Sequence, residues 1–124
     1  MKICLSTPLL MMMSVPLYPQ QKHSCRTSPK VVGQCFKIHG RVRVGNGIGM
    51  VIWRVGTYRV LGVGDVDIII PDNLSDAVFR KGDIYGRDVF GDFEVCPFTK
   101  SKEGEMQMVC VESASHLVVR ENTH

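Results

Sequence analysis

The run from Phe36 to Val63 constrains this chain most, because it reads as three antiparallel strands joined by two tight turns. Phe36, Ile38, Gly40, Val42 and Val44 alternate with Lys37, His39, Arg41 and Arg43. That period of two marks a strand with one buried face. Asn46-Gly47 is the strongest short hairpin signal in the chain, since both central residues of a type I′ turn need positive φ. Gly56-Thr57 suits a type II′ turn. Two-residue loops at both places set the register, with Gly40 opposite Trp53 and Trp53 opposite Val60. The core face then carries Phe36, Ile38, Val42, Val44, Val51, Trp53, Val55, Tyr58 and Val60, and Trp53 covers the bare backbone at Gly40 and Gly62. A three-residue first loop would set Trp53 beside His39 and Arg41, so the two-residue loop is preferred.

The 124 residues amount to one domain, and a net charge of +3 permits a basic patch without arguing for nucleic acid. Residues 1–18 read as a signal peptide or leader: Lys2 precedes a mostly apolar stretch that Pro8 and Pro16 break and that is too short to span a bilayer. Residues 19–34, which hold Pro, Gln, Ser, Thr and Gly with little periodicity, read as a linker or loose N-terminal arm, and residues 35–121 as a single β domain. Of the five cysteines, Cys4 would leave with the leader. The even set Cys25, Cys35, Cys96 and Cys110 suits a disulfide-bonded domain exported to the periplasm or the medium. With no Cys-x-x-Cys and no histidine at zinc-ligand spacing, neither a metal site nor a cofactor is expected.

Downstream, Val66–Ile70 is a candidate fourth strand and Asn73–Arg80 a short helix with Leu74, Ala77 and Val78 inward. Val89–Phe98, Met106–Glu112 and His116–Arg120 are further strands, with a turn at Ser113–Ser115. The polar segment Lys100–Glu105 centres a hairpin that sets Cys96 opposite Cys110 and Val95 opposite Val111. A Cys96–Cys110 bridge follows from that register and Cys25–Cys35 by elimination. Cys35 with either hairpin cysteine is the competing pairing. About seven strands and one short helix favour an all-β fold, a small antiparallel β-sandwich. The alternative is a five-stranded OB-like barrel, decided by whether Val66–Ile70 pairs as a strand.

The sharpest candidate site is the second face of the meander. The expected register gathers Lys37, His39, Arg41, Arg43, Arg54 and Arg59 there, beside Met50, Ile52, Leu61 and Val63. Guanidinium forks suit carboxylates and phosphates, so Lys37, His39, Arg41, Arg54 and Arg59 are the candidate ligand-binding residues, for an anionic ligand or a protein partner. The plainer reading is an ion-paired surface neutralised by Asp92, Glu94 and Glu112. Single-stranded nucleic acid is disfavoured, because Phe36, Trp53 and Tyr58 map to the core face, away from the arginines. No catalytic constellation stands out. Asp92, Glu94 and His116 are the residues a hydrolase would use, and Ser113 and Ser115 near His116 are explained by a turn.

The strings Cys35–Arg41, Ile52–Thr57, Val89–Phe93 and Met106–Glu112 resemble a family of small, exported, uncharacterised bacterial β-domain proteins. The resemblance runs from Cys35 to Leu117 and implies export and no activity. More loosely, Gly40–Ile52 resembles the opening strands of prealbumin-like and carboxypeptidase regulatory-like sandwiches. The expectation is therefore a non-enzymatic exported binding or interaction domain. An OB-like oligonucleotide or oligosaccharide binder and a hydrolase are the alternatives.

Overall fold

The computed structural model describes residues 24–45, 47, 49–64, 70–80 and 84–121. The expected meander is present as β1 (Phe36–Gly45), β2 (Gly49–Arg54) and β3 (Val60–Val63); α1 (Asp72–Phe79), β4 (Arg87–Pro97) and β5 (Gln107–Glu121) follow. The strands close into one barrel in the order β1-β2-β3-β5-β4, with β5 pairing β3 in parallel and β4 antiparallel. Among the described residues there are five strands in one closed sheet, where a sandwich of about seven was expected. Two of the expected strands are a single one, β5, and Val66–Ile70 lies, but for Ile70, outside the described residues. With α1 between β3 and β4, this is the element order of the barrel alternative.

β5 runs through the expected turn at Ser113–Ser115 because a bulge absorbs the irregularity. Asp92 pairs Ser115 and Phe90 pairs Val118, so His116 and Leu117 together oppose Gly91. His116 takes φ +53°, the one positive φ of a non-glycine among the described residues. A bulge of this kind re-aims a side chain without ending the strand.

The core differs from expectation by one residue of loop. Gly45 pairs Gly49, so three residues, 46–48, close the first hairpin, and Arg41, not Gly40, lies opposite Trp53. A one-residue slip exchanges every inward and outward side chain of β2 and β3. Met50, Ile52, Leu61 and Val63 are therefore buried with Ile38, Val42, Phe93, Val95, Val109 and Val111, while Trp53 stands outside. The second turn keeps its expected register, with Trp53 opposite Val60. Ile52 covers Gly40, and the sulfurs of Met106 and Met108 cover Gly62. Leu74 and Val78 of α1, one turn apart, enter the same core. The buried Arg87 guanidinium donates to the carbonyls of Ala77, Val78 and Arg80, filling acceptors that the end of a helix leaves open.

The arm from Ser24 to Gln34 is fastened, not loose. Cys25 bonds Cys110 and Cys35 bonds Cys96, which corrects the expected Cys96–Cys110 and Cys25–Cys35 bridges. The hairpin register itself is as expected, Cys96 opposite Cys110. Phe98 N–H donates to Met108 O, and two residues along in phase lies Cys96–Cys110, a hydrogen-bonded position where paired side chains stand farther apart. Each cysteine reaches outward to the arm instead. Two disulfides are the mark of an oxidising compartment. Among the described residues, no helix is long and apolar enough to cross a membrane.

Candidate functional site

The outer face of the barrel carries a cross-strand row. Register partners link Val60 to Trp53, Trp53 to Arg41, Arg41 to Phe90 and Phe90 to Val118, so the row crosses all five strands. Cations lie on both of its rings. The Arg41 guanidinium carbon is 4.8 Å from the Trp53 ring centroid, and that of Arg120 is 5.5 Å from Phe90, both within cation–π range. The Trp53 indole is anchored by its N–H, which donates to Thr57 O at 2.7 Å. Val60 and Val118 are exposed at the two ends.

Arg41 differs from its neighbour on the same strand face. Arg43 is held by Asp88 through two hydrogen bonds, of 2.7 and 3.0 Å. That carboxylate holds the Arg43 guanidinium above its ordinary value. Opposite Arg41 the β4 residue is Phe90, and among the described residues Arg41 has no ion pair with a carboxylate. Its Nε is buried and has no hydrogen-bond partner among the described residues. An unpaired buried N–H costs roughly 1–3 kcal/mol.

Beside this row lies a groove of about 490 Å³, lined by Lys37, His39, Asp92, Glu94, Ser113 and Ser115 among others. At its edge one carboxylate is shared by two imidazoles. His39 Nδ1–H donates to Asp92 Oδ1 at 2.9 Å and His116 Nδ1–H to Oδ2 at 3.0 Å. Three strands supply the three residues, and the bulge at His116 aims the third. The hydrogen bond from His39, and next the one from His116, hold the Asp92 carboxyl below its ordinary range. Among the described residues each imidazole is hydrogen-bonded to Asp92 and neither to Ser113 or Ser115.

The candidate residues read from sequence divide into two groups. Lys37, His39 and Arg41 share the outer face of β1. Arg54 and Arg59 follow the inward parity of Ile52 and Leu61 and emerge at the end of the barrel, where Arg59 donates to Ser101 Oγ at 3.1 Å and to Gln107. The expected neutralising carboxylates are occupied elsewhere: Asp92 by the histidines, and Glu94 and Glu112 by Arg26 of the arm at 2.6 and 3.8 Å. Trp53, Phe90 and Arg120 were not assigned to a site by sequence. The signal for Trp53 was Gly49, which takes φ +75° and allows a three-residue loop, together with the apolar set Met50, Ile52, Leu61 and Val63.

The sulfurs of Cys25, Cys96 and Cys110 lie within 4.8 Å of one another, fully buried. All three are engaged in the two disulfides, so in this oxidised chain they are not thiolate donors. Comparison with protein-family models, with curated proteins and with solved structures finds no match.

Proposed function

We propose that this chain is a non-enzymatic, exported binding domain with an OB-like barrel, and that it takes an acidic oligosaccharide across the outer face of β1, β2, β4 and β5. The observation that carries the reading is the row in which Arg41 lies over Trp53 and Arg120 over Phe90, with the Arg41 Nε unpartnered among the described residues. Guanidinium groups held on rings are pre-oriented donors for carboxylate or sulfate oxygens. Of this face, β2 belongs to the second-and-third-strand surface that OB-like barrels use for extended ligands, both oligosaccharides and oligonucleotides. An oligosaccharide is favoured over single-stranded nucleic acid because each ring here already carries its own guanidinium, which leaves less open ring for stacking bases. The two disulfides agree with work outside the reducing cytosol.

Trp53 is the single tryptophan of the chain, so its emission reports this face directly. Titration with a heparin-derived octasaccharide is expected to change Trp53 emission with an affinity that falls as salt is added. Arg41→Glu/Arg120→Glu is expected to weaken binding at least about tenfold. Arg54→Glu/Arg59→Glu, at the barrel end, is expected to weaken it far less. Tighter binding of a twelve-residue oligothymidylate would replace the glycan by a single strand. Equal affinity in the wild type and the Arg41→Glu/Arg120→Glu variant would remove the face from consideration.

A further inference from the structure

The geometry points to an acid-responsive charge built into this face: we infer that His39 and His116, which share the carboxylate of Asp92, take up protons as pH falls and strengthen the hold on an anion. The inference rests on the proposed binding face and adds a regulation of it. Each imidazole already uses Nδ1–H to donate to Asp92, so the next proton is taken at Nε2. Both rings are open to solvent, with side chains 59% and 83% exposed. With both rings neutral the cluster carries one negative charge from Asp92. One proton brings it to zero and a second makes it positive.

That swing occurs beside the anion site. His39 is two residues from both Lys37 and Arg41 on one strand face, about 7 Å along the strand. Among the described residues, the ionisable groups at neighbouring positions are Lys37 and Arg41 on β1, Arg54 on β2 opposite Gly40, Asp88 and Glu94 on β4, Glu112 and Arg120 on β5, and Arg26 on the arm. Imidazole is the side chain among these types whose ordinary charge change falls between pH 5 and 8. Arg26 engages both Glu94 and Glu112, so neither is the partner of an incoming imidazolium.

His116 reaches Asp92 by a route that costs backbone energy. A left-handed conformation is unfavourable for a residue with a Cβ, and a glycine would take it freely. The bulge nevertheless presents an imidazole at that position.

The test uses the full chain and a heparin-derived octasaccharide, whose sulfates keep their charge from pH 5 to 8. Wild type is expected to bind on the order of tenfold more tightly at pH 5.5 than at pH 7.5, the effect of two added unit charges at an exposed site. His39→Gln/His116→Gln, at exposed positions, is expected to bring that ratio close to one. Asp92→Asn removes the negative charge and is expected to raise the affinity at pH 7.5 towards the acid value. If the double variant keeps the wild-type ratio while binding persists, the histidine cluster is not the sensor and the binding face stands. If wild type binds at neither pH, both readings fall together.

Discussion

Arg41 and Trp53 are direct cross-strand partners on the outside of the barrel, with the guanidinium 4.8 Å from the ring centroid. Their contact is a consequence of the three-residue hairpin loop, since a loop one residue shorter would turn the indole inward. It joins an outer-face arginine of β1 whose Nε is unpartnered among the described residues to the one tryptophan of the chain.

The contact is expected to matter more for recognition than for folding. A partly exposed cation–π pair contributes about 0.5–1 kcal/mol. Arg41→Ala should therefore melt within a few degrees of wild type, while Trp53 emission shifts to the red as the ring loses its cover. A stability loss of several kcal/mol, read by denaturant titration, would make Arg41 a structural residue.

The disulfide map is the second expectation. Non-reducing peptide mapping should recover Cys25 linked to Cys110 and Cys35 linked to Cys96, with no Cys96–Cys110 peptide. Cys25→Ser/Cys110→Ser should cost about 2–5 kcal/mol, because this bridge spans 85 positions of the chain and its loss frees the arm in the folded state as well.

The hairpin of β4 and β5 was legible in the sequence because a long polar loop sits between two apolar runs, and its register follows by symmetry about that loop. The bridges were not legible in the same way: register places Cys96 beside Cys110 but says nothing of the arm that lies over both. The inward face of β1 was legible from alternation alone, since Ile38 and Val42 alternate with charged residues. On β2 and β3 both faces are largely apolar, so alternation could not choose between Ile52 and Trp53. One residue of loop length decided it. The meeting of His39, Asp92 and His116 depends on a backbone angle at a non-glycine residue, which side-chain pattern does not encode.

Gly91 and the bulge should prove coupled. A Cβ at Gly91 would stand 2.6 Å from Leu117 Cδ2 and 2.9 Å from the Ser115 carbonyl oxygen, and the latter is backbone that cannot swing aside. Gly91→Ala is expected to destabilise by about 1–3 kcal/mol, as overpacking does. His116→Gly should do the opposite, gaining about 1 kcal/mol from relief of the left-handed conformation while removing the imidazole. Thermal melts of both variants check this, and a neutral Gly91→Ala would show that the bulge relaxes freely.

Acid stability carries the signature of Asp92. Its carboxyl is held low by the hydrogen bonds from His39 and His116, so its folded value lies below the unfolded one. Stability from this group is therefore present above the ordinary carboxylate value of about 3.9 and is lost as pH falls through the lowered one. On acidification from pH 5 to pH 2, wild type should lose stability faster than Asp92→Asn. Parallel curves for the two proteins would show that the histidines do not hold the carboxylate in solution.

The hairpin loop itself gives the most searching test of how this chain chooses its faces. Deleting Ile48 leaves Asn46-Gly47 as a loop the right length for a two-residue turn, the arrangement that alternation on β1 favours. The slip would turn Trp53 and Val51 inward and expel Met50 and Ile52, each now at most 2% exposed. Exposing those two side chains costs about 1.5–3 kcal/mol apiece, and an indole does not fit the space of an isoleucine packed on Gly40. The barrel cannot compensate by sliding β2, because β3 is paired to it at Trp53–Val60 and to β5 at Leu61–Gln107. The deletion variant is therefore expected to lose several kcal/mol or its cooperative melt, with Trp53 emission displaced from the wild-type position. An unchanged melt with unchanged emission would mean that packing at Met50 and Ile52, and not loop length, sets the register.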